Sequence, residues 1–158
     1  MTTIKKIVAG GQTGVDSAGL DAAIRLGIPH GGFCPKGRRS ENGTIPECYK
    51  LTEIPSQGYH HRTKLNVAVA TATLILTLGE MTPGSAATAR EARTAGKPCL
   101  WLDLSAPVDL NVSALVEWLD GLGGEITLNV AGSRESKAVG IHDRAEDMLL
   151  KALGRFMP

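Results

Sequence analysis

The chain has 158 residues, of which 42% are hydrophobic and 21% charged, which suits one globular domain over 1–158 and excludes a disordered or fibrous protein. Its net charge is +1, from 17 basic and 16 acidic residues, so a generic nucleic-acid binder is excluded too. The longest apolar runs, such as residues 72–78, fall far short of the roughly 20 residues that cross a bilayer. The N-terminus runs through Lys5 and Lys6 into a strand with no signal-peptide core. The expectation is a soluble, cytoplasmic protein with no membrane partner, and three scattered cysteines (Cys34, Cys48, Cys99) suit reduced thiols.

In chain order, residues 4–9 (IKKIVA) read as a first strand that stops at Gly10 and Gly11. Asp16 is placed to cap a helix over 16–26, with Leu20, Ala23, Ile24 and Gly27 on one face. Residues 29–34 predict a short second strand. From 35 to 62 there is no clear period, which predicts a long loop and suggests a lid, since such loops inside compact domains are usually functional or mobile. Six basic residues between Pro35 and Lys64 oppose three acidic ones, a local balance of +3 that leaves −2 for the rest. Such asymmetry on a neutral protein favours a small anionic ligand over a polyanion.

Beyond it, the pattern predicts a helix at 63–70, a strand at 73–78 apolar enough to be buried on both faces, and a helix at 85–95. A buried strand at 99–102, a helix marked by Leu115, Trp118, Leu119 and Leu122, and a strand at 126–130 follow. The best period is the last, with Ile141, Ala145, Met148, Leu149, Ala152, Leu153 and Phe156 on one face. This alternation predicts an α/β protein: a Rossmann-like open parallel sheet of about five strands with helices on both faces.

In such sheets ligands sit beyond the carboxyl ends of the strands, and three strand-to-helix loops carry unusual chemistry. The first holds Gly10, Gly11, Gln12, Thr13, Gly14 and Asp16, where glycines allow close approach and the helix start offers free N–H groups to an anion. Gly11→Val is expected to fill that anion space. The Asp16 carboxylate would compete with a phosphate and better suits a hydroxyl or a metal-bound water. The second holds Gly84, Ser85 and Thr88, although capping alone would explain Ser85. The third holds Gly132, Ser133, Arg134, Ser136 and Lys137.

The segment GFCPKGRR imitates a nucleoside-triphosphate loop, but Arg38 and Arg39 replace its lysine and hydroxyl and Pro35 lacks an N–H. Lys36, Arg38 and Arg39 remain candidates to grip an oxyanion, against the alternative of a solvated basic loop. No metal-binding spacing is present. His60 and His61 read as surface or lid residues, His30 and His142 as structural, and Asp103 as a loop hydrogen-bond acceptor.

Four segments (GGQTGVDSAGLDAA, IPHGGFCPKGRRSENGTIPECYKL, RTKLNV and LNVAGSRESKA) resemble, in the same order, the molybdenum carrier protein family. The resemblance runs from residue 7 to about 153. That family belongs to a Rossmann-like group related to lysine-decarboxylase-like phosphoribohydrolases. It implies a phosphate-bearing ligand, either molybdenum cofactor (molybdopterin) or a nucleotide, and a homo-oligomer. The group's P-G-G-x-G-T-x-x-E pattern has its spacing matched by PGSAATARE, which carries Thr88 over as a ligand contact and Glu91 as the hydrolases' glutamate. Ser85 and Ala87 stand where glycines are usual and narrow the room for a phosphate lying on the backbone. The resemblance and the loops together lead to a binding or carrier protein; the alternatives are a nucleoside 5′-monophosphate phosphoribohydrolase using Glu91, or a nucleotide sensor.

Overall fold

A computed structural model describes residues 1–56 and 58–158. Strand β1 (Thr2–Val8) leads into α1 (Val15–Leu26), and four two-residue strands follow: β2 (His30–Gly31), β3 (Phe33–Cys34), β4 (Arg39–Ser40) and β5 (Gly43–Thr44). After β6 (Thr52–Glu53) come α2 (Tyr59–Val69), β7 (Ala72–Thr77), α3 (Pro83–Thr94), β8 (Cys99–Asp103) and α4 (Val108–Leu122). Strand β9 (Gly124–Gly132), a 3₁₀ turn (Glu135–Lys137) and α5 (Ile141–Leu153) complete the chain, with a last 3₁₀ turn at Gly154–Phe156.

The central sheet has five parallel strands in the order β2-β1-β9-β7-β8. The last strand of the chain therefore lies in the middle. Its register sets Val8 beside Asn129 on one side and Leu76 beside Gly132 on the other. Alternation along β9 divides the two faces: Leu128 and Val130 join the main core with residues of α1, α4 and α5, while Asn129 and Ala131 lie beside Asn66 of α2 and Thr88 of α3. Helices thus cover both faces of a Rossmann-like sheet.

Helix α1 is built of small residues so that it can approach the sheet. A Cβ at Gly19 would stand 2.8 Å from Val130 Cβ, and Ala18, Ala22 and Ala23 are fully buried. The expected face differs at its C-terminal end, where Ile24 is 44% exposed and Gly27 is exposed as well. Gly27 ends the helix at φ 74°, its N–H reaching Ala23 and Ile24, a left-handed cap that glycine takes without cost.

The span 35–62, expected as one loop, carries the β4–β5 hairpin, β6 (paired with β3), and the first turn of α2. Strand β8, expected to be buried, ends the sheet and leaves Trp101 45% exposed. Cys34 is buried, while Cys48 and Cys99 are exposed; all three are free thiols. Among the described residues no helix is long and apolar enough to cross a membrane.

Candidate functional site

The strand order explains why three loops far apart in sequence can act together. Strands β1, β9 and β7 are consecutive neighbours running in one direction, so the segments leaving their carboxyl ends emerge side by side. Between these segments and α2 lies a cavity of about 500 Å³ lined by Gln12, Asp16, Tyr59, His60, Arg62, Thr63, Thr82, Pro83, Gly84, Ser85, Ala87, Thr88, Ala131, Gly132, Arg134 and Lys137, a size typical of small-molecule sites.

Loop three is locked backbone to backbone to the start of α1 on one side and to β7 on the other. Val15 N–H donates to the Ser133 carbonyl at 3.1 Å and Ser133 N–H to the Leu76 carbonyl at 3.2 Å. Gly14 is required there: it sits at φ 81°, and a Cβ would come within 2.3 Å of the Ser133 carbonyl oxygen. Gly132 has the same constraint from Leu76, whose carbonyl oxygen would lie 2.0 Å from a Cβ. The expectation for Gly11 is corrected: a side chain there would meet Leu51 and Ile45, which belong to the small core beneath the loop, and not a ligand. A Cβ on Gly10 would meet Arg62. Gly84 faces open space.

Asp16 is not the cap of α1. Gly14 holds that position with no side-chain bond, and Asp16 lies in the first turn, 4% exposed. Its Oδ2 accepts the Gln12 N–H at 3.2 Å and pairs with Arg62 Nη1 at 3.4 Å. Burial pushes this carboxyl above its ordinary value, against the opposing pull of Arg62. Among the described residues three buried polar atoms have no hydrogen-bond partner: Gln12 Oε1 and Arg62 Nε, on residues of the lining, and Arg38 Nε, outside it. Buried polar atoms of this kind call for an explanation. The Arg134 guanidinium lies 4.4 Å from the Tyr59 ring centroid, with Arg62 on the same ring at 5.5 Å.

The second loop starts α3. Its cap is Thr82, whose Oγ1 accepts the Ser85 N–H at 3.2 Å, so Ser85 is not the capping residue. Ser85 and Thr88 are buried in the cavity wall. Glu91 is outside the lining and faces His60 at 3.7 Å. In the third loop Arg134 and Lys137 line the cavity, whereas Ser133 is buried beneath it and Ser136 is turned to Glu41.

The basic triplet does not reach the cavity. Arg38 donates to the carbonyls of Pro46 at 2.8 Å and Tyr49 at 2.9 Å, at a positive φ of 53°, and so braces the loop. Arg39 accepts the Gln12 side-chain amide at its carbonyl, and its side chain, like that of Lys36, is exposed. Asp103 accepts from Gly79 and Ser105, both at 2.8 Å, the loop role expected.

Tyr59, Arg62 and Thr63 were the residues least legible in the sequence. They fall at i, i+3 and i+4 on one face of α2. That face is polar, so a search for apolar periodicity starts the helix too late. Among the described residues one cluster lies elsewhere: ligand atoms of Asp21, His142 and Glu146 come within 4.8 Å of one another on the α1–α5 seam, close enough for a metal ion. Both nitrogens of His142 are already engaged, by Asp21 at 2.7 Å and Asp143 at 2.9 Å.

The chain matches the family model of the circularly permutated YpsA SLOG family over residues 7–153. It is also similar to a crystal structure from Syntrophus aciditrophicus named "putative molybdenum carrier protein", with 40% identity, a TM-score of 0.92 and 96% of each chain covered. No curated protein matches it.

Proposed function

The chain belongs to the circularly permutated YpsA SLOG family, and from that premise we propose that it is a binding protein for a phosphate-bearing ring compound, a nucleotide or a pterin such as molybdopterin. The observation that carries the reading is the cavity's charge. Arg62, Arg134 and Lys137 stand against the single carboxylate Asp16 in the lining. The phosphate would lie between Arg134, Lys137 and the N-terminal turn of α3, where the Gly84 N–H and the helix dipole favour an anion; Pro83 has no N–H, and those of Ser85 and Ala86 are bonded to Thr82. The Tyr59 ring suits the planar part of the ligand. None of the three cysteines is in the lining, so these residues would hold the organic, anionic part of a molybdenum compound and offer no thiolate to the metal.

The test is to purify the protein gently, extract it and identify what co-purifies by mass spectrometry, with elemental analysis for molybdenum. A phosphorylated nucleotide or pterin near one per chain, lost in the Arg134→Ala/Lys137→Ala double variant, is expected. An extract without any such compound, together with no binding of added nucleoside phosphates, would overturn the reading. Release of ribose 5-phosphate from a nucleoside 5′-monophosphate, abolished in Glu91→Gln, would instead establish the hydrolase. Self-association belongs to the same proposal: β8 ends the sheet with Trp101 half exposed, and light scattering of the purified chain gives its size.

A further inference from the structure

The β4–β5 hairpin closes over loops one and three through one side chain. Glu41, at its tip, accepts a hydrogen bond from the Thr13 hydroxyl, another from Ser136 Oγ at 2.5 Å and a third from the Ser136 N–H at 3.2 Å. Thr13 is itself held in place by the Glu135 N–H, which donates to its Oγ1 at 3.2 Å. Arg134 is near enough to favour the carboxylate's charge. A carboxylate gathering three donors beside a cation is how a protein binds a free oxyanion, and here the anion is supplied by the chain. We propose that Thr13 and Ser136 form a second oxyanion subsite, next to the cavity, which Glu41 occupies as an internal stand-in and vacates when a free oxyanion takes its place.

Three features of the hairpin support displacement over a permanent clip. It is a two-residue ladder (Arg39 with Thr44, Ser40 with Gly43), and an isolated hairpin of that size has little stability of its own. Its base is anchored separately, by Arg38 on the Pro46 and Tyr49 carbonyls, so the tip can leave without unravelling the loop. A further tie is the Gln12 side-chain amide on the Arg39 carbonyl at 3.0 Å. Gln12 lines the cavity, so release of the hairpin also frees an amide there. Occupancy of the subsite and the donor set of the cavity are thereby linked.

The inference goes beyond the cavity reading, and inorganic phosphate tests it without the cavity's ligand. If the stand-in holds the subsite most of the time, phosphate pays that fraction as lost affinity. Calorimetric titration should show phosphate binding about tenfold or more tightly to Glu41→Ala than to the unaltered chain. Adding Thr13→Val and Ser136→Ala to Glu41→Ala should abolish the gain. In the unaltered chain, saturating phosphate should speed hydrogen exchange of the amides at 40–44. Equal phosphate affinity with and without Glu41 overturns the proposal, and so does a gain that survives loss of Thr13 and Ser136. Glu41 is an exposed tip residue, and a circular dichroism melt of each variant checks that the fold is kept. A cavity that binds no nucleotide or pterin would leave these phosphate results unaffected, so the two readings fail separately.

Discussion

At the residue scale, the Asp16–Arg62 pair is where burial and charge are most finely opposed. Both side chains are nearly enclosed, at 6% and 13% exposure, so removing one leaves the other charged and unpaired. Breaking a buried pair in this way typically costs about 3 kcal/mol or more, whereas neutralising both partners costs far less. Arg62→Met should therefore lose about 3 kcal/mol in urea denaturation, and the Asp16→Asn/Arg62→Met double variant should recover most of it. If the double variant is as unstable as the single, the loss comes from packing of the arginine stem. The sequence singled out Asp16 as a residue unsuited to a phosphate. It did not identify Arg62 as the partner, because the two lie 46 positions apart and only the docking of α2 brings them together.

Glycines at element junctions look alike in the sequence and differ in the fold. Gly132 ends β9 against the Leu76 carbonyl, with 2.0 Å for a Cβ, so Gly132→Ala must push two paired strands apart. Overpacking of that kind costs about 3 kcal/mol at its upper range, and a thermal melt should show it. Gly84, in the first turn of α3, has open space around it. Gly84→Ala should keep the melting temperature yet weaken ligand binding, because Gly84 lines the cavity and a methyl group there would take up room meant for the ligand. Gly11→Val belongs with the first class: φ 80° and Leu51 at 2.6 Å make it a stability defect. Element boundaries show the same division. The apolar faces of α1 and α5 could be traced in the sequence because they pack on the sheet. The start of α2 could not, because the face it presents is Tyr59, Arg62 and Thr63.

Across the whole molecule, the long segment after β3 is tied to the helical layer by a hydrogen-bonded chain. Tyr49 donates to Asp21 Oδ1 at 2.6 Å, and Asp21 Oδ2 meets His142 Nε2 at 2.7 Å. Burial pushes the His142 imidazole down, but its hydrogen bonds to Asp143 and Asp21 outweigh that and hold it above its ordinary 6.5. A group held above its unfolded value contributes stability in full below about pH 6.5 and loses it as pH rises through the native value. The melting temperature should therefore fall as pH rises from 6.5, by no more than about 1 kcal/mol of stability, since the side chain is partly solvated. His142→Gln should flatten that dependence. A slope that survives the substitution assigns it to another group.

The alternation of strand and helix, the parallel sheet and the three loops with their glycines, hydroxyls and charges were all determined by the sequence, because each is a local pattern of periodicity or turn chemistry. The convergence of those loops was decided by tertiary structure alone. Strand order is set by which faces pack, and only the placement of β9 between β1 and β7 makes one cavity of three separate segments. The same holds for the basic stretch that charge counting marked as a binding surface. Folded, Arg38 serves its own loop, Arg62 is the residue of that stretch that joins Arg134 and Lys137 in the cavity lining, and the acidic Glu41 lies on the two loops that were expected to take an anion. Side-chain type can be read along a chain, but which donors face one point depends on contacts between segments more than 90 residues apart, as with Glu41 and Ser136.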